Sequence, residues 1–486
     1  MKEKVAVIGM GISGMGVLLA YAKEVPRHPN SQIDIDCYDA PESFGKGVPF
    51  RETSPHALNN LRSPQISYDY ENLEDFASWL KAQGKVATGY AKRSLFGQYM
   101  DERSQALMES LAATAYHTRI IKLDWLPLKK KWRLTPEHPG KGPQAEVLYD
   151  RVHLCCGELP TGDFYQLKGQ LHYVHEIYPL ADLPATIKET DKVAIIGMGL
   201  AAIDVVRHLL RETKPAQLVM FSKENYFPVV RGDDIRELEF NYLTFEALAA
   251  IIEAQEGFFT VENFKHLLDQ ELAVYGLSFE TITTKYYQKG LAGVRATLKE
   301  PEEVGLIQAV LKQANAVMAD GWDAMDETER ERFSEDYQKI MVILSNPMPP
   351  ESAAELLAGD DAGWLNLYDV KAVEVIADSN QLQLVTKEGS VEVDWVINAT
   401  GMDLSLQGID KGSLLSHLLN RRYTMVDTAG GFSMNYGTSN IFSPRFGEWS
   451  TLHAHGVLVN GVRFQNNDAL KIQRTAHLLV KRLLAK

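Results

Sequence analysis

The chain has 486 residues, a formal charge of −14, 45% hydrophobic and 23% charged residues, which allows two or three cores of ordinary globular composition. The acidic balance excludes a broad nucleic-acid footprint, because such a footprint needs clustered cations to displace counterions. No apolar run reaches the ~18 residues of a spanning helix, so no membrane partner is expected.

The N-terminus lacks the ordered charged, apolar and small-residue regions of a secretory signal, and we therefore expect a cytoplasmic protein. Residues 5–8 form a β-branched apolar run too short for a helix and read as a buried strand. The run leads into Gly9-Met-Gly11-Ile-Ser13-Gly14, followed by a helix-compatible stretch over 15–25. A dinucleotide site requires this order: one glycine for the tight turn, one for close approach of pyrophosphate, one to pack helix on strand. The N–H groups at the helix start then face the phosphates. Residues 33–37 alternate as a second strand ending at Asp39, near the distance at which an acid reaches a ribose hydroxyl.

Gly45 and Gly47 lie in a glycine- and proline-rich loop just past that acid. His56-Ala-Leu-Asn59-Asn60-Leu-Arg62-Ser-Pro64 follows, then a helical patch at 76–81 and a long helix from Arg93 to near 115. Strands are predicted at 119–123, 132–135 and 151–156, the last delivered to Gly157. The three cysteines, Cys37, Cys155 and Cys156, show neither a CxxC pair nor metal-ligand spacing, so no metal site is expected.

A second fingerprint is the most discriminating feature. Residues 191–196 form a strand, Gly197-Met-Gly199-Leu-Ala-Ala202 a turn, and 203–210 a helix, with Ala202 in place of the third glycine, a tolerated variant. The next strand, 217–221, ends at Ser222-Lys223 where an acid would hold a ribose 2′-hydroxyl. A hydroxyl beside a cation suits a 2′-phosphate, so NADPH is preferred, with NADH possible as the alternative; Arg231 would add a second cation, and Glu224 opposes. Two nucleotide lobes in one chain fit a flavoprotein reduced by a pyridine nucleotide, which needs a site for each dinucleotide.

Residues 233–346 turn helical and acidic, with helical spacing at 245–252, 261–275, 304–318 and 328–344, and read as an insertion serving as a lid or dimerisation surface. Residues 347–350 are a breaker. Strands follow at 370–376, 381–386 and 391–398, the last ending in Ala-Thr-Gly401, a step that mirrors Leu-Cys-Cys-Gly157. Asn466 precedes a final helix capped by Asp468. The expected fold is α/β, with two Rossmann-like dinucleotide-binding domains and a helical insertion. Residues 1–185 with 391–486 would form a discontinuous FAD-binding domain, and 186–390 an NAD(P)H-binding domain.

The series Gly9–Gly14, Phe44-Gly-Lys-Gly47, His56-Ala-Leu-Asn59, Arg93-Ser-Leu-Phe-Gly97-Gln-Tyr99, Ile196–Asp204 and Ile397-Asn-Ala-Thr-Gly401 resembles the bacterial FAD-NAD(P)-binding family. More distantly it resembles two-dinucleotide flavin monooxygenases, including ornithine and lysine N-hydroxylases. The resemblance implies that Gly9, Gly11, Gly14 and Asp39 hold the FAD adenosine and pyrophosphate, that Gly45 and Gly47 lie along FAD, and that Gly197, Gly199 and Ala202 carry the nicotinamide nucleotide. Residues 56–64 and Arg93 would face flavin or nicotinamide, with Asn59, or Asn60 beside it, and Arg93 the candidates for catalytic contact. The chain departs from the pattern at Val457, which follows Gly456 where many flavoproteins place an acid.

The activity so implied is monooxygenation: hydride passes from NADPH to FAD, and O₂ is used to hydroxylate a small molecule. Two alternatives stand beside it, an NAD(P)H oxidase or electron-transfer flavoreductase, and a non-enzymatic nucleotide-binding regulator. The sequence leaves oligomeric state open.

Overall fold

The computed structural model describes residues 2–51, 54–157, 159–235, 238–375, 382–464, 466 and 468–485. Ile376, Gln381 and Asn467, each at the edge of a predicted strand or loop, lie outside these residues. The chain divides into two compact units, one of Met1–Pro55, Leu61–Gly162 and Met402–Lys486, the other of His56–Asn60 and Asp163–Gly401. The boundaries thus fall at 162/163 and 401/402 rather than at 185/186 and 390/391. Sheet pairing explains the shift, because the strands Tyr173–Val174 and Trp395–Asn398 both belong to the sheet of the second unit.

In the first unit a six-stranded sheet runs in the order Asn440–Ser443, Gly447–Ala454, Arg151–Leu154, Glu3–Ile8, Ile33–Tyr38, Thr114–Tyr116. Its five pairings are parallel except the edge pair Asn440–Ser443 with Gly447–Ala454. Val5, Ala6 and Val7 are fully buried, as a parallel strand covered on both faces demands. The helix Ile12–Glu24 covers one face, and the C-terminal helix Ala469–Leu484 lies so close to it that a Cβ on Gly16 would stand 3.3 Å from Cα of Gln473. Asp468 caps that last helix, accepting from the Lys471 N–H at 2.8 Å. The helix from Arg93 stops at Leu111, short of the expected 115, because Ala112 turns to φ +49° and the chain enters the edge strand Thr114–Tyr116.

The second unit holds a five-stranded, all-parallel sheet in the order Leu365–Leu367, Gln217–Phe221, Lys192–Ile196, Trp395–Asn398, Tyr173–Val174. The insertion is helical as expected, with Phe245–Ala254, Val261–Val274, Pro301–Gly321, Glu327–Phe333 and Lys339–Ser345. It also contains Phe279–Tyr286 and Ala292–Lys299, whose short spacing hid them in the sequence. The predicted breaker is a helix start: Pro350 occupies the first turn of Pro350–Asp361, where a missing N–H costs nothing.

The core of the first sheet contains an unusual group of buried histidines. His153 pairs in register with His453, its Nδ1 lies 3.0 Å from Nε2 of His455, and its Nε2 lies 3.0 Å from the Tyr21 hydroxyl. Arg151 donates to Nε2 of His453 at 3.0 Å. Burial drives all three rings toward the neutral form, with His455 lowered to about 3 and the other two well below the ordinary value. The unfolded chain therefore binds more protons than the folded one between about pH 3 and the ordinary histidine value of about 6.5, and stability falls as pH drops through that window. The expected slope is about 1.4 kcal/mol per pH unit per histidine. Urea midpoints from pH 7.5 to 5 should show this, and His453→Gln should flatten the curve by one histidine's share; an unchanged slope in the variant contradicts the assignment.

Candidate functional site

The two glycine turns are built from the same contacts. In the first, Ile8 pairs with Leu154 and Tyr38, Gly9 N–H donates to the Tyr38 carbonyl at 2.8 Å, and Cys155 N–H donates to Ile8 at 2.7 Å. In the second, Ile196 pairs with Asn398 and Phe221, Gly197 N–H donates to Phe221 at 2.8 Å, and Ala399 N–H donates to Ile196 at 2.8 Å. Gly9 has φ +95° and a Cβ there would stand 2.5 Å from the Cys155 carbonyl; Gly197 has φ +118° and would meet the Ala399 carbonyl at 2.5 Å. Backbone fills the place of a side chain in both, so only glycine fits. Leu-Cys-Cys-Gly157 and Asn-Ala-Thr-Gly401 are accordingly equivalent steps.

Around the first turn the remaining glycines divide by role. A Cβ on Gly14 would lie 2.1 Å from the Gly9 carbonyl oxygen, which is the helix-on-strand contact expected of the third glycine. Gly11, the N-cap of Ile12–Glu24, has no side-chain cap, and a Cβ on it would meet Cα of Gly47 at 3.1 Å. The loop carrying Gly47 (φ +72°) is therefore folded onto the turn. Gly45 instead faces the helix Arg93–Leu111, with Asp101 and Ser104 at 3.0 and 3.2 Å from its absent Cβ.

Asp39 directly follows the strand Ile33–Tyr38 and is half-buried, accepting from Met10 N–H at 2.6 Å, Ala40 N–H at 2.7 Å and the Ser43 hydroxyl at 2.8 Å. Burial raises its carboxyl, while those donors and the Arg119 charge act against the rise. Beyond it opens a cavity of about 320 Å³ lined by residues that include Ala40, Glu42, His117, Arg119 and Lys141.

The contact that sequence reasoning missed is Gly456. It has φ +66°, and a Cβ there would fall 2.3 Å from the hydroxyl of buried Ser13. Asn466 is fully buried behind it, donating from Nδ2 to the Gly456 carbonyl at 2.9 Å, and its backbone N–H donates to Asn460 Oδ1 at 2.6 Å. Asn466 Oδ1 is a buried acceptor with no donor among the described residues. Gly157 lies at the same place, its absent Cβ 3.3 Å from Val457. The only signal for Gly456 was its position after an apolar strand, since its partner lies more than four hundred residues away in sequence.

In the second turn Ala202 is fully buried, and Gly199, the N-cap of Leu200–Glu212, has open space where a Cβ would be. Gly401 (φ +88°) is similarly open. Register places Ser222 opposite the role of Asp39, since Phe221 matches Tyr38 as the strand's last residue. Its backbone N–H donates to Asn225 Oδ1, and its hydroxyl accepts from Asn225 N–H, both at 2.8 Å. Lys223 is exposed. Arg231 is drawn off, donating to the Asn60 carbonyl at 2.9 Å.

The proposed catalytic pair is divided between the units. Arg93 is the first residue of its helix in the first unit. Asn59 belongs to the second, in a strap whose His56 meets Glu212 at 2.7 Å and whose Asn60 meets Asn346 at 3.1 Å. Asn59 is 3% exposed and its Nδ2 has no acceptor among the described residues. Among those residues no group of three His, Cys, Asp or Glu side chains could hold a metal, and no helix is long and apolar enough to cross a membrane.

Fold and turns together define an α/β protein with two glycine turns of one geometry, each at the carboxyl end of a parallel strand. Residues 6–159 match the model of a family described as FAD-NAD(P)-binding. A curated relative, the FAD-binding monooxygenase tazF of Aspergillus terreus, is 24% identical over 225 residues, 45% of this chain, and the match spans only 36% of that protein. Over the whole chain the fold is shared with ornithine hydroxylase from Pseudomonas aeruginosa (TM-score 0.60, 13% identity, 100% of this chain and 99% of that one). It is shared also with the FAD-bound cadaverine monooxygenase DfoA from Erwinia amylovora (TM-score 0.56, 12% identity, 99% and 94%).

The two glycines of the second turn should behave oppositely. Gly197→Ala combines a strained φ with a carbonyl clash and should cost about 3 kcal/mol or more, whereas Gly199→Ala should cost no more than about 1 kcal/mol, the usual loss at an N-cap. Urea denaturation checks this; equal midpoints for the two variants contradict the packing described.

Proposed function

We propose that the chain is an FAD-dependent oxidoreductase reduced by NADPH, acting in the cytoplasm as a monooxygenase that hydroxylates a small molecule with O₂. The observation that carries the reading is the repetition of one turn geometry in both units, since a flavoprotein fed by a pyridine nucleotide needs two such turns. FAD is assigned to the first unit and NADPH to the second. When bound, the flavin supplies two-electron and O₂ chemistry that side chains lack.

The residues of the first turn suit that cofactor. Uncapped N–H groups at the start of Ile12–Glu24 provide phosphate donors. Asp39 spends three of about four carboxylate acceptor positions on the protein and keeps capacity for a ribose hydroxyl. Asn466 Oδ1 needs a donor, and the polyol chain of a flavin has hydroxyls to give. With an amide from Asn466 in this region, Val457 needs no acid in its place. In the second unit, the open space at Gly199 admits a pyrophosphate, and Ser222 presents no carboxylate to repel a 2′-phosphate. Asn59 is assigned a donor role toward a ligand through its unpartnered Nδ2, and Arg93 an anion-binding role toward nicotinamide nucleotide or substrate.

Purified protein should take up FAD, be bleached by NADPH without air, and in air couple NADPH consumption to a hydroxylated product with an amine, amino acid or purine. Hydrogen peroxide formed one for one with NADPH, whichever compound is supplied, would favour the oxidase reading. A colourless protein that cannot be loaded with FAD would overturn the enzymatic reading altogether.

A further inference from the structure

The helical insertion converges on one short loop of the second unit, residues 222–226, which follows the strand Gln217–Phe221. Gly290 N–H donates to the Asn225 carbonyl at 2.7 Å and forms a bridge beside Tyr226. The Tyr287 ring stacks on Tyr226 with centroids 4.1 Å apart and planes 8° from parallel. Lys339, the first residue of Lys339–Ser345, ion-pairs with Glu224, and its ammonium sits 5.0 Å from the Tyr226 ring centre. From inside, the loop is held by the reciprocal Ser222–Asn225 bonds and by Asn225 Nδ2 donating to the Tyr368 carbonyl at 3.2 Å. The loop is thus fixed from both sides before any ligand arrives.

The charges at this place are unbalanced. Lys223 and Lys339 are near enough that burial, and after it the Lys223 charge, lower the Lys339 ammonium from its ordinary value. Glu224 is ion-paired with Lys339, and Lys223 precedes it in the chain. A second anion with hydrogen-bond acceptors is what such a pair lacks, and a phosphate monoester carries close to two negative charges at neutral pH.

We propose that Lys339, brought in by the helical insertion, is a specificity-determining residue: with Lys223 and Ser222 it takes the 2′-phosphate of the adenosine half of NADPH, and Glu224 and Tyr226 are positioning residues for its ammonium. The inference rests on the assignment of NADPH to the second unit and adds a function for the insertion, which reads the coenzyme instead of only covering the fold. A coenzyme with a free 2′-hydroxyl leaves the Lys339–Glu224 pair as it is and gains nothing from the second cation.

The test uses the full-length, FAD-loaded protein and two probes, adenosine 2′,5′-bisphosphate and adenosine 5′-monophosphate, with binding measured by calorimetry at several salt concentrations. Wild type should prefer the bisphosphate. Lys339→Ala should weaken bisphosphate binding about tenfold or more and flatten its salt dependence, with 5′-monophosphate binding changed less than about twofold. Lys339→Arg should retain most of the preference. If Lys339→Ala binds the bisphosphate as wild type does while Lys223→Ala does not, Lys339 has no such role and the NADPH assignment stands. If wild type does not distinguish the two probes, the NADPH assignment fails and this inference falls with it.

Discussion

The structure depends on main chain pressed against main chain at two places. Where Gly9 meets the Cys155 carbonyl and Gly197 meets the Ala399 carbonyl, the backbones approach to a distance that no Cβ tolerates. That approach lets the strands Glu3–Ile8 and Lys192–Ile196 turn sharply into their helices while the neighbouring parallel strand ends alongside. It leaves the N–H groups of the helix start without a side-chain cap at the carboxyl edge of the sheet, the place where open α/β sheets bind ligands. The remaining features of each site are arranged on this one contact: Gly47 folded over Gly11, Gly456 over Ser13, the loop 222–226 at the end of the second unit's adjoining strand.

The two turns share geometry and differ in charge. Asp39 closes the first by accepting from Met10 N–H, so its carboxylate ties the turn to the neighbouring strand. The matched position in the second unit is Ser222, whose hydroxyl is used within its own loop, and the charge there comes from lysines. One turn geometry thereby stands in two different electrostatic environments, and the difference lies in a handful of residues after the strands Ile33–Tyr38 and Gln217–Phe221.

The parts legible in the sequence were those set by local physics. A β-branched run ending in glycines, followed by small apolar residues, can do little else than turn from strand to helix, and both fingerprints and the twin exits at Gly157 and Gly401 were visible for that reason. The Ser222–Lys223 substitution was visible because register follows from the lengths of two short strands. Contacts between residues far apart in the chain were not: nothing near Gly456 announces that Ser13 will occupy the space of its side chain. The strap His56–Asn60 was equally hidden, because it lies within first-unit sequence and yet packs with the second. Pro350 misled in the opposite direction, since proline ends one helix and begins another with the same local signal.

The central claim is that the chain has two independent dinucleotide sites of one design. Native mass spectrometry of the full-length protein with FAD and NADP⁺ together tests it most directly. The account predicts a species carrying one of each, with FAD retained when NADP⁺ is raised to saturation. Displacement of FAD by NADP⁺, or a mass increment that never exceeds one nucleotide, would contradict it.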